Sequence, residues 1–258
     1  MPERLKGKKI LVTRPREQAD TLCNLIECEG GTAIRLPVIE IKTVPDEPGL
    51  RELLAGIADY DIGIFISQNA VRHTLELLNK DMHALFRLHI IAIGKSTAGL
   101  LKQAGITKVE YADERASSEK LLELPVFNSP QLKGSRVIIF RGTGGREYLA
   151  NRLTERGAIV DYLEVYQRVA CKYDNTILDR ILFTEKPGII VITSSEGLQN
   201  LVAMLSSRQR KAVLDKQLLV MGKRMSKLAH ELGFTRTPVI VEETSDQGLL
   251  NAMIRITG

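Results

Sequence analysis

The chain carries a second copy of itself. ILVTRPREQADTLCNLIECEGG, from Ile10, lies over VIIFRGTGGREYLANRLTERGA, from Val137, at a shift of 127 residues. Arg14 falls on Arg141, Leu22 on Leu149, Asn24 on Asn151 and Gly30 on Gly157, and IGIFIS from Ile62 falls on IIVITS from Ile189. One further residue of shift brings Gly94-Lys95 onto Gly222-Lys223, Gly105 onto Gly233, Ser117 onto Ser245, and Leu121-Leu122 onto Leu249-Leu250. Two similar units predict two similar lobes, and ligand sites favour the cleft that two lobes leave. A length of 258 residues suits two ordinary domains.

Within each copy, short β-branched runs alternate with helix-length amphipathic segments. In the first copy the pattern predicts strands at Lys9–Thr13, Thr32–Leu36, Ile62–Ile66, His89–Ile93 and Lys108–Tyr111. Helices are predicted between them, including one over Glu47–Ala58. The second copy repeats the order, with a helix expected over Ile177–Thr184. Near-continuous apolar strands in strand–helix alternation predict parallel sheets covered on both faces, so each unit is expected to be a doubly wound α/β domain. The equivalent segments LPVIEI, from Leu36, and LEVYQRV, from Leu163, each prolong a strand. Such segments can pair as a two-stranded ladder bridging the lobes. The repeat alone fits either a plain tandem or an exchange of halves across that bridge.

Composition narrows the function classes. Apolar residues make up 44% and charged residues 26%, ordinary for a globular protein. The net charge of +5 is spread without a long basic run, and Trp is absent, which disfavours a nucleic-acid surface. Cys23, Cys28 and Cys171 show no metal or disulfide spacing, and the four histidines are scattered. Reduced thiols, no metal site and a cytoplasmic location are the expectation. MPERLKGKKI lacks the apolar core of a signal peptide, and no apolar stretch is long enough to span a bilayer.

In doubly wound sheets ligands sit at the carboxyl ends of strands, against helix N-termini. The turns there are Arg14-Pro15, Ser67-Gln68-Asn69-Ala70, Gly94-Lys95-Ser96-Thr97, Arg141-Gly142-Thr143-Gly144-Gly145, Ser194-Ser195-Glu196-Gly197 and Gly222-Lys223-Arg224. Each offers N–H groups, hydroxyls or cations to an anion. For any one of them plain N-capping is the better explanation. Six on paired lobes favour a polyanionic ligand. Arg141–Gly145 resembles a dinucleotide fingerprint but has Glu147 at the third glycine position. There is no P-loop, nucleophile elbow or His-centred triad. So thin an inventory fits a protein that works by holding a conformation. Tyr166, in the bridge segment, stands out, because a phenol donates a proton or hydrogen bond while staying neutral. A linker tyrosine packed on one lobe is the alternative.

The ordered set ILVTRP, IFISQNAV, AIGKSTA, RVIIFRGTGGRE, LEVYQR, ITSSEGL and VMGKRMSKLAHELGF followed by Ser245 resembles the uroporphyrinogen-III synthase family over nearly the whole chain. The resemblance implies one lobe from residues 1–36 plus 171–258 and another from 41–163. The two-stranded linker would be 36–41 and 163–169. It implies hydroxymethylbilane, a linear tetrapyrrole bearing an acetate and a propionate on each ring, as substrate in the interlobe cleft, with no metal or organic cofactor. Loss of the terminal hydroxyl gives an azafulvene, which attacks the substituted carbon of the last ring. A spiro intermediate then fragments and re-closes with that ring inverted. Tyr166 takes the catalytic role. Arg14, Ser67, Gln68, Asn69, Ser96, Thr97, Arg141, Gly142, Ser194, Ser195, Gly197, Gly222, Lys223 and Ser245 take substrate-binding roles. The expected partners are the substrate and a transient hand-off from the preceding pathway enzyme, with no nucleic acid, no membrane and a monomeric state. A two-lobed binding protein for an anionic small molecule is the competing reading.

Overall fold

The computed structural model describes residues 3–45, 47–79, 83–112 and 116–257. Met1, Pro2 and Gly258, at the ends of the expected first lobe, lie outside the described residues, as do residues 46, 80–82 and 113–115 within the expected second. The first half runs β1 (Lys9–Val12), α1 (Arg16–Cys28), β2 (Thr32–Arg35), β3 (Ile39–Thr43), α2 (Pro48–Ala55), β4 (Ile62–Phe65), α3 (Gln68–Leu77), β5 (His89–Ala92), α4 (Lys95–Gln103), β6 (Val109–Tyr111) and α5 (Ser118–Leu121). The second runs β7 (Arg136–Gly142), α6 (Tyr148–Glu155), β8 (Ile159–Ala170), α7 (Asn175–Asp179), β9 (Ile189–Ile192), α8 (Ser195–Met204), α9 (Ser207–Leu214), β10 (Gln217–Val220), α10 (Lys223–Glu231), β11 (Val239–Ile240) and α11 (Asp246–Thr257).

The chain divides into two compact units, one of Met1–Glu40 with Val169–Gly258 and one of Ile41–Arg168. Each is built on a sheet with helices on its faces. The first has strand order β11-β10-β9-β1-β2, the second β3-β8-β7-β4-β5-β6. The sheets therefore mix the repeats: β1 and β2 of the first copy join β9, β10 and β11 of the second, and β7 and β8 of the second join β4, β5 and β6 of the first. The registers carry the same signature. Ile10 pairs with Ile189 in one sheet, and their repeat counterparts Val137 and Ile62 pair in the other. Lys9 pairs with Thr32, as Arg136 does with Ile159. All these pairings are parallel.

The strands form because their residues are β-branched or aromatic and buried on both faces. In the second unit Phe65, Ile90, Ile138 and Phe140 feed one apolar cluster, while Ile62, Ile64, Ile91, Val137 and Ile139 feed another. This is the alternation that a covered parallel sheet requires. Phe65 and Phe140 stack with ring centroids 4.1 Å apart. In the first unit Ile10, Val12, Ile189, Val191 and Leu219 pack against Leu22, Ile26, Leu249 and Met253 of the flanking helices. Each such side chain contributes roughly 1.5–3 kcal/mol on burial, which is what drives the sheet and helices together.

Three local expectations change, and one helix, α9, is additional to those expected. The helix expected over Glu47–Ala58 breaks at Gly56 into α2 and a single 3-10 turn, Ile57–Asp59. The helix expected over Ile177–Thr184 is one α turn followed by a π-helix, Arg180–Glu185, which Lys186 ends in the left-handed region at φ 53°. α9 escapes the apolar pattern, because its core-facing residues include Gln209, a polar side chain that is 1% exposed and donates to Asp179 Oδ1 at 2.8 Å. The segment from Leu36 does not prolong β2. Pro37, which has no N–H, interrupts the strand before β3 starts at Ile39. The segment from Leu163 does prolong its strand, and β8 runs unbroken for 12 residues. β3 lies beside β8 at the sheet edge, with Val44 N donating to Val165 O at 3.3 Å.

Candidate active site

In the first sheet β1 lies between β2 and β9, and in the second its repeat counterpart β7 lies between β8 and β4, the doubly wound order. Chain direction out of the sheet therefore reverses between β1 and β9 in one unit and between β7 and β4 in the other. The carboxyl ends of those strands are where such sheets bind ligands.

In the second unit that point is occupied by Ser67 and Tyr166. Ser67 follows β4 and caps α3, its Oγ accepting from Ala70 N at 3.0 Å. The same Oγ lies 3.2 Å from the Tyr166 hydroxyl. Tyr166 belongs to β8, so its ring must cross β7 to reach the end of β4. Two features of β7 allow this. A register shift between Arg141 and Gly142 sets Gly142 opposite Tyr166, and Gly142 has no side chain in the way. A Cβ there would lie 2.5 Å from the Tyr166 ring. Thr143 N donates to Tyr166 O at 2.8 Å and fixes the strand at the crossing. The ring is buried, with 6% of the residue exposed. The arrangement gives a phenol whose hydroxyl touches a serine already polarised by a helix N-terminus.

Other expected residues of this unit are dispersed. Gln68 and Ser96 lie in the first turns of α3 and α4, both exposed, and Asn69 is half-buried. Thr97 is 2% exposed and packs inward. Arg141, 3% exposed, turns back on its own loop. It donates to Gly142 O at 3.2 Å and to Glu147 Oε1 at 3.3 Å, and its guanidinium lies 4.4 Å from the centre of the Tyr162 ring. Tyr162 in turn donates to Glu147 Oε2 at 2.6 Å, and burial with this bond pushes its pKa up to about 12. As placed, Arg141 braces the glycine-rich turn from within.

In the first unit the equivalent point holds Ser194 and Arg14. Ser194 caps α8, accepting from Gly197 N at 3.0 Å. Gly197 is buried against Val38 and Ile39. Arg14, at the end of β1, forms an ion pair with Asp246 at the start of α11, and its Nε is buried without a partner among the described residues. Ser245 caps α11 through Gly248 N at 2.9 Å and donates to Glu243 Oε1 at 2.7 Å. Gly222 precedes α10 at φ 97°, a backbone state that favours glycine. Lys223 after it is exposed, and Ser195 is half-buried. Beside β2 and the start of α1, a cavity of about 530 Å³ is lined by residues including Arg16, Arg35, Lys172 and Tyr173. Tyr173 donates to Pro37 O at 2.8 Å, and its burial pushes its pKa up to about 12.

The sequence pattern does not single out His73 or Asp246. Asp246 shows there only as the first residue of a helix. His73 is one of four scattered histidines, and its neighbours Thr43 and Tyr166 come from other strands. Among the described residues no group of three or more His, Cys, Asp or Glu side chains is placed to hold a metal ion, and no helix is long and apolar enough to cross a membrane.

Two doubly wound units, each with helix N-termini at its switch point, define a two-domain α/β protein. The family model described as uroporphyrinogen-III synthase HemD matches residues 3–251. The uroporphyrinogen-III synthase of Escherichia coli K12 is 34% identical over 95% of this chain and 99% of its own. That of Synechococcus elongatus is 30% identical over 79% of this chain and 76% of its own. The solved Helicobacter pylori uroporphyrinogen-III synthetase superposes with a TM-score of 0.64 at 17% identity, over 96% of this chain and 99% of that one. A mutant uroporphyrinogen III synthase from Thermus thermophilus gives 0.58 at 21% identity over 97% and 98%. The chain belongs to the uroporphyrinogen-III synthase family. Its activity is that of a cyclising lyase of porphyrin and haem biosynthesis.

Proposed function

We propose that the carboxyl-edge turns of the two units bind the acetate and propionate groups of hydroxymethylbilane, and that Tyr166 assists departure of its terminal hydroxyl. The observation that carries this reading is the Tyr166–Ser67 contact at 3.2 Å, at the switch point of the second unit. The C–O bond breaks as the phenolic proton leaves with the hydroxyl as water, and the substrate becomes an azafulvene cation. Attack at the substituted carbon of the last ring gives the spiro intermediate. Fragmentation and re-closure then invert that ring. The proton shed as the ring regains aromaticity balances the one Tyr166 supplied.

Spontaneous closure skips the inversion. The protein must therefore favour one conformer and shield a cation, which is catalysis by differential binding rather than by a strong base. Helices α1, α4, α6 and α10 begin without a side-chain cap, so their first N–H groups are available to carboxylates. Arg14, Gln68, Asn69, Ser96, Ser195, Gly222 and Lys223 lie in the first turns or loops at these edges and are read as substrate contacts. Ser67, Ser194, Gly197 and Ser245 shape the turns through their capping bonds. Thr97, Arg141 and Gly142 act from within, as supports. The unit boundaries at Glu40–Ile41 and Arg168–Val169 support 36–41 and 163–169 as the linker between a lobe of residues 1–36 with 171–258 and one of residues 41–163. We read the protein as a cytoplasmic monomer that needs no cofactor and receives its substrate from the preceding enzyme of the pathway.

The test is an isomer assay. Hydroxymethylbilane is generated enzymatically in place, the protein is added, and the oxidised porphyrin isomers are separated. Predominantly type III product is expected. Type I alone, from folded protein, would overturn the reading.

A further inference from the structure

The internal repeat supplies a control for Tyr166 within the same chain. At the shift of 127 residues Tyr166 falls on Ile39, and α3 (Gln68–Leu77) falls on α8 (Ser195–Met204) residue for residue. The two scaffolds agree: Ile39 lies near Gly197 in the first turn of α8, as Tyr166 meets Ser67 at the start of α3. One unit therefore has an aliphatic side chain where the other has a phenol.

The surroundings differ in step. Beside Tyr166 the His73 ring lies with its centroid 5.6 Å away, tilted by 31°. His73 Nδ1 is 2.8 Å from Thr43 Oγ1 and 3.1 Å from Glu76 Oε2, and Thr43 Oγ1 itself donates to that carboxylate at 2.7 Å. The imidazole is thus held from β3 and from the next turn of its own helix, and only 12% of the side chain is exposed. At the same shift His73, Thr43 and Glu76 fall on Asn200, Ala170 and Ala203. Asn200 binds the backbone, donating to Val38 O at 3.2 Å, and the two alanines have no polar group to anchor a ring. The anchored imidazole is present where the phenol is and absent where it is not.

We propose that His73 is a positioning residue for Tyr166: held by Thr43 and Glu76, its ring confines the phenol opposite Gly142 and keeps the hydroxyl on Ser67. The proposal rests on the catalytic reading of Tyr166. A buried phenol bordered by the β7 backbone and a fixed imidazole loses the rotamers that would carry its hydroxyl off target. Catalysis is sensitive to displacements of this scale.

The test combines spectroscopy with kinetics on the full chain. Tyrosines labelled with ¹³C at Cζ are observed by NMR, and Tyr166→Phe assigns the Tyr166 resonance. His73→Leu is expected to shift or broaden that resonance and to lower kcat about tenfold with KM within about twofold. Thr43→Val should do the same more weakly, and His73→Phe, which restores an aromatic surface, should recover part of kcat. Asn200→Leu, the counterpart change, should leave the Tyr166 resonance in place. In the Tyr166→Phe background His73→Leu should cost no further turnover. An unmoved resonance, or a full additional loss in that background, would overturn the proposal. A moved resonance with full turnover in Tyr166→Phe would instead remove Tyr166 from the chemistry, and with it the need for His73 to position it.

Discussion

Apart from β3 at the edge of one sheet, the two units share one strand order, and they present different side chains at the same point. Ser67 and Ser194 make the same bond to the third residue of the following helix, each at 3.0 Å. Around Ser194 the start of β3 and the residue before it contribute Ile39 and Val38, and the nearby cation Arg14 is tied to Asp246. Around Ser67 β8 contributes Tyr166, with His73 behind it. The repeat thus presents two similarly capped helix N-termini, and the proposed proton-bearing role falls to the unit that holds the phenol. The capping serines alone are no sign of catalysis, since both units have them.

The sharpest way to break the comparison is at the crossing of Tyr166 over β7. Gly142→Val places atoms inside the space of the phenol ring and is expected to cost about 1–3 kcal/mol of stability through overpacking. The turnover loss should be on the order of 100-fold, as expected when a positioned acid is displaced. Gly197→Ala in the other unit meets Ser194 Oγ at 3.0 Å and should lower stability with much less effect on turnover. Urea unfolding and initial rates on the same preparations separate the two. Equal turnover losses would show that the units contribute alike.

The caps give a smaller effect. Ser67→Ala and Ser194→Ala should each lose about 1 kcal/mol of stability, the usual worth of an N-cap. Only Ser67→Ala should also lose turnover, by about tenfold, since it alone removes the partner of the Tyr166 hydroxyl. A matching loss in Ser194→Ala would contradict the assignment of roles.

The smallest expected effect lies at alkaline pH, where the units behave alike. Tyr162 and Tyr173, one in each, are held neutral by burial, with pKa values raised from 10.0 to about 12. The folded state keeps these protons after the unfolded chain has lost them. Their contribution to stability is therefore full below about 10 and fades as pH rises toward 12. Tyr162→Phe and Tyr173→Phe should each alter the slope of urea midpoint against pH over that window. An unchanged slope in either would remove that tyrosine from the alkaline limb.

Much of this is legible in the sequence because repeats and apolar periodicity are local signals. The shift of 127 residues predicts two units, and β-branched runs such as IGIF and IIVI mark the parallel strands. Tyr166 stands out because it places a phenol, a neutral donor, in the segment from Leu163. What escapes are features made by distant parts of the chain. Two stretches of identical pattern do not reveal which strands of the two copies pair, so the mixing of the copies comes only from the registers. Arg141 is legible as a cation after a strand, but its inward turn depends on Glu147 and Tyr162, which lie outside its strand. His73 gains its meaning from Thr43, on a strand that Pro37 separates from β2.

The most direct test of the assignment is the initial rate of type III isomer formation by wild type and Tyr166→Phe, compared in one assay after both are shown to be folded. A fall of about 10- to 100-fold, at or just below the range for losing a positioned acid, is the predicted result. Equal rates would contradict the claim that this phenol distinguishes the working unit from its copy.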